Sequence, residues 1–319
     1  MADRAARGNP AIVVPSYGRP DKIRDCVRHL RALEGGPWRI VVVDDGSPEP
    51  IAPLLDGEGA EVIRRPNGGP GAARNAGVRA AEGAELILFT DDDCRPRPDW
   101  ALALVRAQGG VPMRLVGGRV ENALEHDVYA SASQSLCTYL YEFYQSRGSA
   151  MDFFTTNNMC VRREDFLSVG GFDPTFRIAS EDRDLSLRWK SAGGTLAFAP
   201  GAVIDHAHNL DLRSFWRQHA SYGRGARRLH LAMDDRADPR PKVERMGFYL
   251  GLLAHPLRRP GRRRLAQSAL MGLSQVAMVS GYAAALREER RAHGGGHGGT
   301  HRDVRRAGER EADGGPDGR

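Results

Sequence analysis

The sequence predicts an α/β fold, a mostly parallel sheet flanked by helices. Two observations carry this. Short apolar runs rich in β-branched residues alternate with amphipathic segments through the first 110 residues. The runs are continuously apolar rather than alternating, as expected of strands covered on both faces. Such a βαβα series closes by right-handed crossovers.

The elements follow in order. Residues 11–15 (AIVVP) and 40–44 (IVVVD) are the first two strands. Between them, 20–34 places Ile23, Val27, Leu30 and Leu33 about one helical turn apart, with Pro20 in the first turn. A strand near 61–64, a helix across 71–82, a strand at 85–90 and a helix across 98–108 come next. Beyond them, 114–120, 153–161 and 195–199 read as strands, and 131–145, 181–192 and 211–234 as helices.

Leu265 to Leu286 is a 22-residue stretch without a formal charge between Arg264 and Arg287. A bilayer needs roughly 20 residues. Gln267, Ser268, Ser274, Gln275 and Ser280 make the stretch polar for a span, so a membrane surface, a partner and the main domain also compete for its apolar side. Upstream, Arg258, Arg259, Arg262, Arg263 and Arg264 suit anionic headgroups or a solvated loop. Residues 292–319, with His293, His297 and His301, are Gly-rich and charged and read as a disordered tail. The chain therefore divides into a flexible start (1–9), a main domain (10–235), a helical segment (236–291) and that tail.

Composition narrows the function classes. With 41% hydrophobic residues the chain can build a core, which excludes disorder throughout. Cys26, Cys94, Cys137 and Cys160 have no CxxC spacing, which argues against a disulfide scaffold or a zinc ribbon and fits a reducing cytosol. MADRAARGNP lacks the apolar core of a signal peptide, so secretion by that route is not expected. The net charge of +6 is uneven, with arginines clustered late and acids at Asp44–Asp45 and Asp91–Asp93, so local clusters are more informative than the total.

Ligands of open α/β sheets bind beyond the carboxyl ends of the strands. Strand one ends in Pro15-Ser16-Tyr17-Gly18-Arg19, strand two in Val43-Asp44-Asp45-Gly46-Ser47, and a later strand in Thr90-Asp91-Asp92-Asp93. One acidic strand end is an ordinary turn or cap. Three in one sheet suggest a site. Asp91-x-Asp93 can bring two carboxylates toward one hard cation, Mn2+ or Mg2+, which would neutralise a diphosphate leaving group; the alternative is an acidic loop capping the next helix. GGPGAARNAG at 68–77 matches neither GxGxxG nor a P-loop, and reads as a helix start with Arg74 and Asn75 beside a nucleotide or as a surface turn.

Seven segments, in this order, resemble the family-two glycosyltransferases of the GT-A fold over about residues 10–235. They are VVPSYGR at 13–19, VVVDDGS at 41–47, NGGPGAARNAG at 67–77, LFTDDDCRPRPDW at 88–100, NNMCVRREDFLSVGGFD at 157–173, SEDRDLSLRWKSAG at 180–193 and a His-bearing strand at 202–208. The resemblance implies a nucleotide-sugar half (10–110) and an acceptor half (111–235). It implies that Pro15, Tyr17, Arg19, Asp44 and Asp45 hold the donor, with Arg74 near its base or diphosphate and Asp92 at the ribose. Asp91 and Asp93 would bind Mn2+ or Mg2+, joined by His206 rather than His208. Asp182, with Glu181 beside it, would be the catalytic base of an inverting displacement. Trp216, Arg217, Gln218 and Tyr222-Gly223-Arg224 resemble the segment that closes over the diphosphate, with Arg224 on the donor; a solvated basic helix face is the alternative. Asn157 to Asp173 would line the acceptor side, with the GGF turn shaping the pocket. Trp100 and Trp189 read as core.

The resulting expectation is transfer of a sugar from a nucleotide-diphosphate sugar to a hydroxyl of a glycan, a lipid-linked saccharide or a small molecule. That places the chain in cell-surface polysaccharide, glycolipid or natural-product glycosylation, in the cytoplasm with a peripheral contact to the inner face of the membrane. A nucleotidyltransferase would want a Gly-rich loop with Arg and Lys directly after strand one, and SYGRPDKIR is a poor version of it. A non-catalytic binding protein does not call for Asp91, Asp93 and Asp182 together. Nucleic acid is not expected, since no zinc spacing or RRM-like signature accompanies the arginines.

Overall fold

The computed structural model describes residues 9–146, 153–238, 244–259 and 263–294. Most of the expected flexible start and of the expected tail, with His297 and His301, lies outside the described residues.

The first half follows the expected alternation: β1 (Ala11–Ser16), α1 (Pro20–Arg31), β2 (Arg39–Asp44), β3 (Glu61–Arg64), α2 (Pro70–Ala80) and β4 (Leu86–Phe89). β3, β2, β1 and β4 lie side by side and parallel. Ser16 is in register with Asp44, so the loops after β1 and β2 leave the same sheet edge, and the loop after β4 joins them there. Both faces of β1, β2 and β4 are buried, whereas β3 is the edge strand, with Glu61 and Arg64 exposed. Ile12, Val14, Val42 and Leu88 pack against Ile23, Val27 and Leu30 of α1. Val13, Val41, Val43 and Phe89 pack on the other side with Ala73 and Val78 of α2. Gly77 of α2 crosses so close to β1 that a Cβ there would meet the Val13 side chain.

The second half departs from a parallel sheet. It contains β5 (Cys94–Pro96), α3 (Trp100–Gln108), β6 (Arg114–Asn122), α4 (Val128–Ser146), β7 (Met159–Arg162), α5 (Arg163–Ser168), α6 (Glu181–Ser191) and β8 (Thr195–His206). The sheet continues β4-β7-β6-β8-β5, with β7 antiparallel to β4 and β6, β8 parallel to β6, and β5 antiparallel to β8. β5 takes residues that periodicity gave to a loop. Its Pro96 is tolerated because β5 is an edge strand. Consequently α3 begins at Trp100 rather than 98. The expected strand 153–161 shrinks to 159–162, because Phe154 packs on Gly117 of β6 instead of pairing in the ladder. β8 runs through both expected pieces: opposite the Gly118–Arg119 step its register jumps from Ala199 to Val203, an irregularity that absorbs Pro200, Gly201 and Ala202. Trp100 and Trp189 are fully buried, donating to Asn158 Oδ1 and the Met113 carbonyl.

Three helices complete the described chain: α7 (Leu212–Asp235), α8 (Met246–Ala254) and α9 (Arg264–Gly294). Asp211 caps α7 by accepting from the Ser214 N–H at 2.6 Å. α9 has the length and composition to cross a membrane. In the structure it packs along α7, and its end at Gly294 extends into the stretch expected to be disordered. The two backbones touch at glycines: a Cβ on Gly223 would collide with the Met278 carbonyl, and one on Gly281 with the Ala220 carbonyl. Arg224–Glu288 and Arg227–Glu289 pairs, at 2.7 Å each, fix the register.

Candidate active site

A cleft of about 1080 Å³ opens at the sheet edge where β1, β2 and β4 end. Pro15, Tyr17, Arg19, Asp45, Arg74, Asp91, Asp92, Asp93, Glu181, Asp182, His206 and His208 all line it. Asp93 and Asp182 thus share one hollow although they come from opposite halves of the chain.

The three aspartates after β4 face different partners. Asp92 is buried, accepting from Ser16 Oγ at 2.7 Å and from Arg19 at 3.0 Å. Burial pushes its carboxyl up to about 6, with Arg19 opposing and Asp93 assisting. Asp93 meets His206 Nε2 at 3.1 Å, Arg19 at 3.1 Å and Lys22 at 3.2 Å. Burial alone would raise its proton affinity, but the His206 hydrogen bond and these positive groups hold it well below the usual carboxylate range. Asp91 turns away from them and accepts from Arg74 at 2.6 Å.

Arg74 is only 3% exposed and bridges the halves, with one nitrogen on Asp91 and the other on Glu181 at 2.9 Å. The Phe172 ring lies 5.8 Å beneath it. The Gly170-Gly171-Phe172 turn therefore supports Arg74 rather than lining the cleft: Phe172 is fully buried against Phe89 and Phe166. Gly171 sits at φ +66, where a side chain would meet Asn75. Glu181 and Asp182 open α6 after Ser180, which is held at φ +75, a costly conformation outside glycine. Gly225 of α7 leaves the room that this turn needs. Burial raises the proton affinity of both acids; Asp182 adds to the effect on Glu181 and Arg74 opposes it. Asp182 accepts the Arg183 N–H at 2.8 Å.

The donor set that suits a hard divalent cation is Asp93 with His206. Their ligand atoms and Cys94 Sγ lie within 4.8 Å of one another. The Asp93 carboxylate suits either Mn2+ or Mg2+, the His206 imidazole favours the softer Mn2+ over the oxygen-seeking Mg2+, and burial keeps the Cys94 thiol protonated and unsuited to that role. His208 stacks on His206 with ring centroids 4.1 Å apart, and burial, then His206, pushes its imidazole down to about 3.

Two expected residues lie elsewhere. Asp44 is buried below the cleft, accepting from the N–H groups of Ser47 at 2.8 Å and Ile51 at 3.2 Å and from Arg64 at 2.8 Å, so it builds the loop after β2. Asp45 supports the next loop by accepting from Gly68 and Gly69, while still bordering the cleft. Arg224 points to Glu288 of α9 and does not line the cleft. Arg217, Gln218 and Tyr222 of the same helix do. Sequence reasoning missed Lys22, although it stands one turn after Arg19 and shares its partner. It read α4 as a helix but gave it no place in the site, although Ser133, Leu136, Cys137, Leu140 and Tyr144 line the cleft at helical spacing.

Residues 11–167 match Glycosyl transferase family 2. Over 237 residues the chain is 31% identical to a pre-mycofactocin glycosyltransferase of Mycobacterium tuberculosis, covering 72% of this chain and 49% of that protein. It is 36% identical over 192 residues to the succinoglycan biosynthesis protein ExoW of Rhizobium meliloti, covering 54% and 60%. The chain thus spans about half the length of the first of these relatives. Among solved structures, the mannosyltransferase PcManGT from Pyrobaculum calidifontis, in complex with GDP-Man and Mn2+, superposes with a TM-score of 0.53 at 17% identity, over 89% of this chain and 80% of that one. GalNAc-T7 with UDP, GalNAc and Mn2+ gives 0.52 at 14%, over 90% and 57%. This likeness is one of fold, and the fold is GT-A.

Proposed function

We propose that this chain, which belongs to glycosyl transferase family 2 and has the GT-A fold, is an inverting, metal-dependent glycosyltransferase that uses a nucleotide-diphosphate sugar. The observation that carries this reading is the shared cleft, with Asp93 and His206 in one wall and Asp182 in another. The nucleotide and Mn2+ held by the two similar structures support the same classes of donor and cofactor here.

In this reading Pro15, Tyr17 and Asp45 border the nucleoside, and Arg19, Lys22 and Arg217 face its phosphates, where arginine donates in pairs. Asp93 and His206, with Asp91 near, would hold Mn2+ or Mg2+, which when bound would stabilise charge developing on the diphosphate. Asp182 takes the proton of the acceptor hydroxyl. As the hydroxyl oxygen bonds to the anomeric carbon, the bond to the diphosphate breaks and its electron pair leaves with that group. One base and one in-line displacement give inversion. The raised proton affinity of Asp182 suits a base that must receive a proton near neutral pH. Glu181 stays on Arg74 and keeps the α6 start in place. The chain works on the cytoplasmic side, resting on the membrane through α8 and α9.

The test is Asp182→Asn with a screen of nucleotide-sugars. Metal-dependent thermal shift by the donor is retained, and transfer falls by about 10²–10⁴-fold, the usual worth of a general base. Normal turnover by this variant would remove Asp182 from the role.

A further inference from the structure

Away from the carboxylates the cleft changes character. The cleft-lining face of α4 carries Leu136, Leu140 and Tyr144, and α8 adds Phe248, Tyr249 and Leu252. The two helices are locked together: the Phe143 and Phe248 rings are 4.8 Å apart, and the Tyr139 hydroxyl donates to the Phe248 carbonyl at 2.7 Å. This apolar wall begins beside the proposed base. Arg183 lies 4.2 Å over the Phe153 ring, and Phe153 lines the same cleft. A second sugar would call for several fixed donors and acceptors. The wall offers mainly hydrocarbon and aromatic surface.

α8 is apolar on its other side as well. Met246 and Leu250, one turn apart, are 70% and 61% exposed, and Leu257 follows them. α9 shows Leu265, Val276 and Val279 to solvent, with Leu265 77% exposed. A helix on a water-facing surface ordinarily turns charge outward. Here charge is confined to the ends, with Arg258, Arg259, Arg263 and Arg264 before the uncharged stretch and Arg287, Arg290 and Arg291 after it, while Glu288 and Glu289 among the latter are taken up by Arg224 and Arg227 of α7. Hydrocarbon bordered by anionic headgroups complements that pattern. The helix that walls the cleft is thus the helix that meets this surface.

Building on the transferase reading, we propose that the acceptor is an amphipathic lipid. Its hydroxyl-bearing head lies at Asp182 and its hydrocarbon chain runs along the α4–α8 wall toward an anionic bilayer on which α8 and α9 rest.

The experiment uses the full chain and a series of ethyl, hexyl and decyl β-glucosides below their micelle concentrations, with binding measured by calorimetry. Affinity is expected to climb with chain length, by up to about fourfold for each methylene that becomes fully buried. Leu140→Gln on α4 and Tyr249→Asn on α8 are each expected to flatten that climb, in protein whose melting curve remains cooperative. Equal affinity from ethyl to decyl overturns the proposal, and so does a climb that both variants leave intact. Sedimentation with phosphatidylcholine vesicles is expected to strengthen when phosphatidylglycerol is included; no sedimentation with either overturns the bilayer part. A nucleotide-sugar thermal shift on the same samples keeps the two readings apart. Its absence, with alkyl binding intact, would sink the transferase and leave the lipid site.

Discussion

Arg74→Met tests how the two halves of the cleft are held together. The substitution keeps most of the apolar stem over Phe172 and removes the guanidinium that bridges Asp91 and Glu181. Asp91 is 30% exposed at its side chain, so water replaces much of what it loses. Glu181 is buried beside Asp182 and has no such recourse. Breaking a buried pair by removing one partner costs ~3–5 kcal/mol. At ~2–4 °C per kcal/mol for a domain of this size, the melting temperature should fall by roughly 10 °C. The sign of the pH dependence is fixed. Losing Arg74 removes the group that opposes the upward shift of Glu181, so the variant's folded state binds that proton more tightly than the parent's folded state does. The penalty is therefore smaller at ~pH 5.5 and grows as pH rises to ~8. Adding Glu181→Gln should restore most of the loss, since no charge is then stranded. Scanning calorimetry of the parent, the single variant and the double variant, with a chelator present, decides the matter. A single variant that melts within the error of the parent, or a double variant no better than the single, would refute the bridge.

Further outcomes follow from other contacts. Asp93→Ala and His206→Ala should each weaken Mn2+-dependent donor binding by tenfold or more in titration calorimetry, whereas Asp44→Asn should act through the melting temperature, because Asp44 ties down the loop after β2. Asp92, raised by burial to about 6, binds its proton more tightly folded than unfolded; in chelator, wild-type stability should fall relative to Asp92→Asn by up to about 3 kcal/mol as pH rises from about 4 to 7, measured by denaturant titration. Gly281→Val should separate α9 from α7 and speed proteolysis within α9, since a Cβ there collides with the Ala220 carbonyl; unchanged cleavage would mean the helices do not meet there.

The parallel half of the fold was legible because its physics is local. Strands covered on both faces must be continuously apolar, and helices between them must repeat near 3.6, so β1, α1, β2 and β4 could be read within a few residues. The mixed half was not, because its elements are decided by distant partners. β5 exists only because β8 runs beside it, and Phe153–Phe154 leaves the ladder because Gly117 offers a space for a ring. The acidic strand ends carried the same mixture. Asp93 meets His206, but Asp91, which the Asp-x-Asp spacing put beside it, pairs with Arg74, and neighbouring Asp44 and Asp45 divide between building loops and bordering the cleft. A pair of adjacent carboxylates gives no sign of which one finds the backbone donors first. Arg224 is similar: the family resemblance of its segment implied a place on the donor, while Glu288, far along the chain, claims it.

The charges that sequence order scatters are interleaved in space. From one side the order is Lys22 and Arg19, then Asp93 and Asp92; from the other it is Asp91, Arg74, Glu181 and Asp182. Each cation in the first group is held by an acid that a divalent ion would also want. In the proposed reaction Asp93 would help to hold the ion, and Arg19 and Lys22, released from it, would be free to donate to phosphate oxygens. Few buried charges would be left uncompensated at any stage, which is how a cleft this acidic can receive an anion. Arg74 has no part in that exchange, being enclosed between Asp91 and Glu181. In the proposed reaction it would brace the wall that carries Asp91 against the start of α6 that carries Asp182, a part that suits its burial while Arg19 is half-exposed.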